Sequence, residues 1–536
     1  MSTDFDFDAI VVGSGFGGSV TAARLAEAGW KVLVLERGRR WLPEMMPRGP
    51  DDDWLYDVDE PHKQNGWLDF RWFGDMSVAM GAGVGGGSLI YGNVSIIPPR
   101  STFDTHWPRA ISYDELQPHY ETVGNILNVQ EMPLDQVPKR FDAMKKGAVA
   151  IGAAAKFRLV PLAVTFDPSW SRAAPQPYTD DKSHKFINAH GREQGTCNHC
   201  GFCCTGCHLK AKNTLDLNYL AIAENHGADI RPLHIINSID KIDGGFRVHA
   251  DRISEGRPEA MIFSARKVIL SAGSLGSTEI LLRSRDEKKT LPNISSALGQ
   301  GWSSNGDFLT FSSHKEEMLP TRSPTISCAI DFLEGEGYEG TKIFVEDGAL
   351  GDVPAAYFKQ AMMSARKWSD AGWYKKLLNN VIRRISGINT AKNTIAWFAQ
   401  SVDASDGRLS LKKSWLHFGR TRLHLDWDIK KSEAGFKKVN ELHKKLAKAN
   451  NPRSITTMLN WTLFRDLTTP HPLGGCRMAD SPEEGVVDHR GEVYGYPGLY
   501  VADGSIIPFA LGINPSRTIA ALAERNVAIM LAEAKP

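Results

Sequence analysis

The chain lacks an excess of charge of either sign, and it lacks long hydrophobic runs. Its 536 residues include 63 lysines and arginines against 62 aspartates and glutamates, so no net positive field attracts nucleic acid and we expect no nucleic-acid partner. No uninterrupted apolar stretch of about 18 residues occurs, which argues against a membrane-spanning helix. The acidic N-terminus, MSTDFDFDAI, lacks the basic and apolar regions of a secretory signal, so we expect a cytoplasmic protein.

The chain also has few cysteines outside one short segment. Five of its seven cysteines fall within residues 196–212, TCNHCGFCCTGCHLKAK. Four of them have the C-x2-C-x2-C-x3-C spacing of iron–sulfur ferredoxin segments, although His208 stands where a proline is usual. These four are Cys197, Cys200, Cys203 and Cys207, and Cys204 is a spare ligand. Because the missing signal disfavours disulfides, the segment predicts an iron–sulfur site, with metal-free or redox-active thiols and zinc as the alternatives.

Glycine, by contrast, is abundant, and a first glycine cluster lies near the N-terminus in the sequence DAIVVGSGFGG. The apolar residues 9–12 predict a buried parallel strand. Gly13, Gly15 and Gly18 follow, where a tight turn, the approach to a pyrophosphate and the packing of a helix each exclude a side chain. A helix over residues 20–28 would then direct its positive end towards the phosphates. The pattern predicts a dinucleotide-binding site.

An acid follows the next predicted strand. Residues 31–35, KVLVL, predict that strand, and Glu36 comes directly after it. A carboxylate in this position accepts hydrogen bonds from both ribose hydroxyls and repels a 2′-phosphate. The sequence therefore favours a dinucleotide that carries no 2′-phosphate.

A second glycine cluster covers residues 81–92, GAGVGGGSLIYG. Without side chains, such a backbone can lie flat against a large planar or charged ligand, with its amides directed at that ligand. A flexible loop is the alternative, but the residues SLIY at its end are typical of ordered, packed sequence. The cluster is predicted to contact the cofactor.

Two further strand-and-turn patterns lie far along the chain. Residues 267–280, KVILSAGSLGSTEI, have an apolar strand, a glycine-containing turn and a helix start. Residues 499–505, LYVADGS, form a strand that leads to an acid and a glycine, and residues 512–526 open a helix with Pro515 near its first turn. The cofactor domain is therefore predicted to be discontinuous, and the long segments between its pieces are predicted to form a substrate-binding domain.

These motifs, together with GWSSNGD at residues 301–307 and HPLGGC at residues 471–476, occur in the order seen in one family. The chain resembles the glucose-methanol-choline oxidoreductases, and within them the cholesterol oxidase branch with non-covalent FAD. The resemblance implies an α/β fold: a Rossmann-type FAD-binding domain, discontinuous in sequence, and a second α+β substrate-binding domain made of an antiparallel sheet plus helices. We expect FAD-binding residues 1–100, 205–315 and 468–536, and substrate-binding residues 101–204 and 316–467.

The resemblance also implies which residues contact FAD. They belong to the two glycine clusters, the end of the second strand and the later strand-and-turn motifs. They are Gly13, Gly15, Phe16, Gly17, Gly18, Glu36, Arg37, Gly83, Gly86, Gly87, Ser88, Asn93, Ala272, Gly273, Asp503, Gly504, Asn514 and Pro515.

By the same resemblance, three side chains are candidates for the chemistry. His471 matches the active-site histidine that contacts the substrate oxygen beside the flavin, and histidine suits this because its pKa lies near neutrality. Asn514 matches the second polar partner, which orients the hydroxyl, although a helix cap would also explain it. Glu346, in KIFVEDG, resembles the glutamate that cholesterol oxidases use as a base, and an apolar pocket would raise its pKa. An ordinary surface acid is the alternative, and Asp347 lies beside it.

The resemblance implies an FAD-dependent oxidoreductase that converts the hydroxyl of a bulky hydrophobic alcohol to a ketone by hydride transfer to the flavin. A steroid 3β-hydroxyl is the leading substrate. The electron acceptor is oxygen or, if the cysteines hold an iron–sulfur cluster, a carrier, as in an alcohol or sugar dehydrogenase. A non-catalytic electron-transfer flavoprotein is the remaining alternative, and the presence of both His471 and Asn514 argues against it.

One more segment, residues 366–385, concerns the source of the substrate. Its sequence, RKWSDAGWYKKLLNNVIRRI, interleaves aromatic and aliphatic residues with lysines and arginines, as in a helix that lies at a membrane interface. A protein that takes a sterol from a bilayer could dock through such a helix, so the segment predicts peripheral membrane contact. A helix that packs on the domain core with a solvated basic face is the alternative.

Overall fold

The described part of the computed structural model comprises residues 5–48, 52–74, 76–254, 258–320, 322–349, 391–414, 420–457 and 467–534. Residues 366–385 lie outside these ranges, so their membrane contact stays a prediction. None of the helices within the ranges has the length and apolar character needed to cross a bilayer. The α-helices are α1 (Phe16–Glu27), α2 (Tyr113–Ile126), α3 (Lys139–Ala150), α4 (Tyr219–Asn225), α5 (Gly273–Leu282), α6 (Glu433–Lys448) and α7 (Ser516–Glu533).

The strands are distributed along the whole of the described chain. They are β1 (Phe7–Val12), β2 (Val32–Leu35), β3 (Leu55–Tyr56), β4 (Leu68–Trp72), β5 (Met76–Gly81), β6 (Phe157–Leu159), β7 (Phe186–Ile187), β8 (Glu193–Gln194), β9 (Asp229–Arg231), β10 (His234–Ile242), β11 (Gly245–Arg252), β12 (Glu259–Leu270), β13 (Gln300–Trp302), β14 (Phe308–Ser313), β15 (Cys328–Phe332), β16 (Ile343–Gly348), β17 (Thr394–Ser401), β18 (Gly407–Ser414), β19 (Arg420–Asp426), β20 (Ser454–Thr457), β21 (Leu467–Thr469) and β22 (Leu499–Val501).

One sheet is built around β1, which lies between β12 and β2 and runs parallel to both. On one side β9 continues the sheet in parallel beside β2. On the other side β12 is long enough to pair with the antiparallel β11 through its first half and with β1 and β22 through its second half. The predicted α/β fold with a Rossmann-type domain is confirmed, and its sheet takes strands from three separate parts of the sequence.

Strand β1 and helix α1 begin earlier than the sequence pattern predicts, whereas β2 begins one residue later, at Val32. Helix α1 starts at Phe16 rather than at residue 20, because Gly15 is already the extended residue that precedes the first helical turn. A Cβ on Gly17 would lie 1.4 Å from the carbonyl oxygen of Ala502. Glycine at this position therefore lets the start of α1 pack directly against the backbone that follows β22.

A second, antiparallel sheet has the strand order β20-β14-β17-β16-β15-β6, and α3 and α6 pack against it. Successive residues of a strand point to opposite faces, so Glu346 and Asp347 of β16 face different sides of this sheet. Smaller sheets have the orders β21-β5-β4-β3, β13-β18-β19 and β7-β8.

A buried ion pair fixes the sheet to α3. Nε of Arg140 lies 2.6 Å from Oδ2 of Asp347, and both side chains are 1% exposed. The backbone amides of Ser327 and Cys328 donate to Oδ1 of Asp347 at 2.7 and 2.8 Å. Arg140 also donates to the carbonyl oxygen of Arg322 at 2.7 Å. The hydrogen-bonding capacity of Asp347 is therefore used within the fold.

We expect Arg140→Leu to lower the free energy of unfolding by about 3–5 kcal/mol, because it leaves the Asp347 carboxylate buried without its cation. Urea unfolding of the holoenzyme measures this change. The matched control is Arg158→Leu, which breaks the partly exposed pair with Asp331 (39% and 24% exposed) and should cost at most about 1 kcal/mol. Equal losses in the two variants would contradict the structural role of the Arg140 pair.

Candidate active site

The two glycine clusters, which are far apart in sequence, meet in the structure. The amide of Gly85 donates to Oγ of Ser14 at 3.1 Å. A Cβ on Gly86 would lie 2.6 Å from Cα of Gly15. Gly13 has a φ of 94°, a conformation that residues with side chains rarely adopt. Glycine backbone of the two clusters thus forms one surface, which suits close contact with a dinucleotide.

Glu36 joins this surface to the end of β2. Its buried carboxylate accepts hydrogen bonds from the amide and the hydroxyl of Ser14 at 3.1 and 2.7 Å, and from the amide of Gly38 at 2.9 Å. Oε2 accepts both bonds from Ser14, whereas Oε1 accepts the one from Gly38 and can accept another. A hydrogen bond from a ribose hydroxyl is compatible with this geometry and stays a prediction. Arg37, another predicted FAD contact, pairs with Asp69 at 2.5 Å.

The other predicted FAD contacts are spread over five places in the fold. These places are the first turn of α1, the second glycine cluster, the start of α5, the residues after β22 and the residue before α7, with Phe16, Gly17, Gly18, Gly83, Gly87, Ser88, Ala272, Gly273, Asp503, Gly504 and Pro515. Asp503 connects two of them, because its Oδ2 accepts from the Gly273 amide at 2.9 Å and its Oδ1 from the Ser505 amide at 2.8 Å.

Asn93 provides an independent test of whether these residues fit a cofactor. The residue is fully buried with a φ of 68°, and neither atom of its side-chain amide has a hydrogen-bond partner in the described part of the chain. Buried polar atoms without partners are rare in native structures and call for an explanation such as a ligand. Together with the glycine surface, this amide fits the predicted contact with FAD.

The structure brings the three candidate catalytic residues together. Glu346 lies on β16, His471 follows β21 and Asn514 precedes α7. Nδ2 of Asn514 lies 3.4 Å from Oε2 of Glu346, and His471 is close enough to Glu346 for each to influence the pKa of the other. Pro515, not Asn514, directly precedes the first residue of α7, and Oδ1 of Asn514, the atom that would accept from a helix amide, has no hydrogen-bond partner among the described residues. The helix-cap interpretation of Asn514 is therefore wrong.

Glu346 also has a partner that the sequence does not indicate. Nε2 of Gln400, on β17, donates to Oε2 of Glu346 at 2.8 Å. Three oxygens in this group are buried without a partner among the described residues: Oε1 of Glu346, Oε1 of Gln400 and Oδ1 of Asn514. Such a cluster of unsatisfied acceptors suits a ligand that carries hydrogen-bond donors.

Burial sets the protonation of Glu346. Removal from water raises the pKa of its carboxyl to about 7, although the bond from Gln400 and the charge of His471 act in the opposite direction. Glu346 is fully buried, so the surface-acid interpretation is wrong. An acid with a pKa near neutrality is suited to accept and release protons.

His471 is held by Asp307, which lies in the motif GWSSNGD but which that motif does not identify as a partner of the histidine. Nδ1 of His471 lies 2.9 Å from Oδ1 of Asp307. Burial lowers the pKa of the imidazole, but the Asp307 carboxylate more than offsets this, so the pKa of His471 is raised. The only sequence signal for Asp307 is its place at the end of GWSSNGD. The only sequence signal for Gln400 is that it is a polar residue within an apolar strand.

The cysteine segment forms a separate site. The predicted ligands Cys197, Cys200, Cys203 and Cys207 line one small cavity. All are free thiols, and burial, then the neighbouring Cys207, raises the pKa of Cys200 to about 12. Throughout the described ranges, no group of three or more His, Cys, Asp or Glu side chains is placed to hold a metal ion. Neither the predicted iron–sulfur cluster nor the zinc alternative therefore has support from the described residues, and the cluster stays a prediction.

Two cations flank the cysteine segment. Nζ of the buried Lys212 donates to the carbonyl oxygens of Cys203, Leu89 and Tyr91 at 2.7, 2.9 and 3.0 Å. Arg48 donates to the carbonyl oxygens of Thr205 and Gly206 at 2.8 and 2.7 Å. Because Leu89 and Tyr91 belong to the second glycine cluster, Lys212 joins the cysteine segment to the cofactor surface.

Comparison with known proteins agrees with this geometry. Two models of the GMC oxidoreductase family match residues 186–299 and 403–523, and a model of an NAD(P)-binding Rossmann-like domain matches residues 11–41. The chain is similar to a cholesterol oxidase of Acinetobacter baumannii, with 32% identity over 99% of this chain and 95% of that protein. A cholesterol oxidase of Mycobacterium tuberculosis is 30% identical over 98% of this chain and 91% of its own length.

A solved structure supports the fold independently. The formate oxidase of Aspergillus oryzae aligns with a TM-score of 0.61 over 98% of both chains at 16% identity, which is evidence for the fold alone. The sequence relatives carry the assignment further, because their similarity extends over nearly the whole chain. The chain therefore belongs to the GMC oxidoreductase family, in its cholesterol oxidase-like branch, and is an FAD-dependent oxidoreductase that acts on CH–OH groups.

Proposed function

We propose that the protein oxidises the hydroxyl of a bulky hydrophobic alcohol to the ketone, and that the natural group is a steroid 3β-hydroxyl. The observation that carries the proposal is the buried group of Glu346, His471 and Asn514, with unsatisfied oxygens where a hydroxyl would bind. The register of β16 and β17 places Phe344 and Phe398 on the same face as Glu346. This face therefore offers apolar surface beside the polar group, as a sterol requires.

Each polar side chain has a distinct task in this proposal. Nδ1 of His471 is engaged by Asp307, so Nε2 is left to bind the substrate oxygen. Asn514 orients the hydroxyl, and Glu346 accepts its proton on the unpartnered Oε1. Bound FAD supplies the acceptor for the hydride that leaves the carbinol carbon. The protein aligns these groups, and the rate of hydride transfer depends steeply on that alignment.

A second candidate, a dehydrogenase that uses a carrier instead of oxygen, is favoured by the cysteine segment. Four cysteines and Lys212 line one cavity, and Arg48 bonds to the backbone of the same segment. In a four-iron cluster the cysteines bind different irons, so they surround a volume and do not converge on one ion. Cys197, Cys200, Cys203 and Cys207 would hold such a cluster, which would supply a one-electron exit from FAD. The relatives named oxidases favour oxygen, which remains the leading acceptor.

We expect His471→Ala to keep bound FAD and its yellow colour but to slow reduction of the flavin by cholesterol about 10²–10⁴-fold, because the substrate oxygen loses its partner. Anaerobic stopped-flow mixing measures this rate. The control is His249→Ala, since His249 pairs with Asp240 in another sheet, and its rate should not change. The 3α-epimer of cholesterol tests the substrate: it should react much more slowly than cholesterol. Normal reduction in His471→Ala would remove this residue from the chemistry.

The pH dependence of flavin reduction should report the ionisation of Glu346. Because the carboxylate is the form that accepts a proton, the rate should rise with pH through about 7, the raised pKa of this group. Glu346→Gln should abolish this rise of the rate with pH and slow flavin reduction by about 10²–10⁴-fold. Glu339→Gln, at an exposed acid, is the matched control. If the rate of Glu346→Gln still rises with pH through about 7, the ionisation belongs to another group.

The electron acceptor is tested on protein purified without air. We expect an oxidase to show flavin bands alone and to form hydrogen peroxide in step with the ketone. A dehydrogenase should instead show broad additional absorption and about four irons per chain, both lost in Cys203→Ser and kept in Cys328→Ser. Cys328 is the matched control because it is a buried thiol on β15, outside the cysteine segment.

A further inference from the structure

We propose that Asp307 is a positioning residue for this oxidation: it fixes the ring of His471 so that Nε2 faces the substrate oxygen, and it keeps the ring positively charged. Glu346 is then the group that accepts the proton. The inference rests on the proposed function of the site and adds to it the protonation state of each group.

Hydrogen bonding fixes the tautomer of His471. An ionised carboxylate only accepts hydrogen bonds, so the 2.9 Å contact between Nδ1 and Asp307 requires a proton on Nδ1. Oγ1 of Thr469 lies 2.6 Å from Oδ2 of Asp307 and accepts from the amide of His471 at 2.9 Å. Both carboxylate oxygens thus bind the short segment 469–471, which leaves the ring one orientation.

The charges around the ring determine its second proton. The charged groups that act on His471 are Asp307, which directly precedes β14, and Glu346 on β16. Phe398 on β17, whose ring centroid lies 6.0 Å from that of the imidazole, carries no charge. Asp307 is 1% exposed, so water screens its carboxylate little, and an opposite charge at this distance favours the protonated imidazole.

A charged His471 divides the chemistry between two residues. The hydroxyl proton passes to Oε1 of Glu346, the electron pair of the carbon–hydrogen bond leaves as hydride to the bound cofactor, and the carbon–oxygen bond becomes double. His471 keeps both protons and donates a hydrogen bond from Nε2 to the oxygen while negative charge develops there. A neutral ring would instead present a lone pair and compete with Glu346 for the proton.

The test is the pH profile of flavin reduction by cholesterol in the holoenzymes of wild type, Asp307→Asn and Asp307→Glu. We expect the wild-type rate to fall on the alkaline side as His471 loses its proton. Asp307→Asn should move this limb about one to three pH units lower and reduce the maximal rate at least about tenfold, with little change in KM. Asp307→Glu, which keeps the charge, should keep the limb near its wild-type position.

Thermal stability gives a readout that needs no substrate. The pKa of His471 is raised by folding, so the ion pair contributes fully below the unfolded-state pKa of about 6.5 and is lost as pH rises through the folded-state pKa. The difference in Tm between wild type and Asp307→Asn should therefore be largest near pH 6 and shrink towards alkaline pH.

Three results would overturn the inference: an unchanged limb and rate in Asp307→Asn, a Tm difference that does not vary with pH, or a wild-type rate that stays level into strongly alkaline pH. The last needs no variant, so it decides even if Asp307→Asn fails to bind FAD. If the wild type does not oxidise cholesterol, the proposed function fails, and the Tm comparison still tests Asp307.

Discussion

The geometry of the site depends on one tight turn, residues 303–307, which holds two distant segments in place. Oδ1 of Asn305 accepts from the amides of Leu511 and Gly512 at 3.0 and 2.9 Å, and its Nδ2 donates to the carbonyl oxygen of Ile513 at 2.9 Å. The same turn ends in Asp307, which binds His471. One turn therefore places both His471 and the backbone that leads to Asn514, and it does so with fully buried polar groups that are costly to leave unpaired.

Neighbouring acids on β16 have opposite roles because a strand alternates its faces. Asp347 faces α3, where the guanidinium of Arg140 and two backbone amides neutralise and satisfy it. Glu346 faces the site, where the described residues that bond to it are the neutral amides of Gln400 and Asn514, and burial raises its pKa to about 7. The carboxylate of Asp347 thus stabilises the fold on one face of the sheet, while that of Glu346 stays available for proton transfer on the other.

The features that the sequence predicts best are those encoded by neighbouring residues. The strand, glycine turn and helix of the cofactor site are adjacent in the chain, so their order alone predicts them. Apart from the start of α1, their observed bounds differ from the predicted ones by at most two residues. His471, Asn514 and Glu346 each lie in a short motif, so resemblance identified them separately. Gln400 and Asp307 acquire their roles from contacts between distant segments: Gln400 faces Glu346 only because β17 pairs with β16 in a particular register. No local sequence rule encodes that pairing.

Electrostatics couple the cysteine segment to the cofactor surface. Burial lowers the pKa of Lys212 to about 8, while the nearby Cys204, Cys203 and Cys207 act to raise it, so negative charge on these sulfurs favours the ammonium. The ammonium in turn holds the carbonyl oxygens of Leu89 and Tyr91 in the second glycine cluster. Thiolates, whether metal-bound or free, would therefore strengthen the contact that fixes this cluster, and neutral thiols would weaken it. Lys212 is thus the residue through which the charge of the cysteine segment acts on the second glycine cluster.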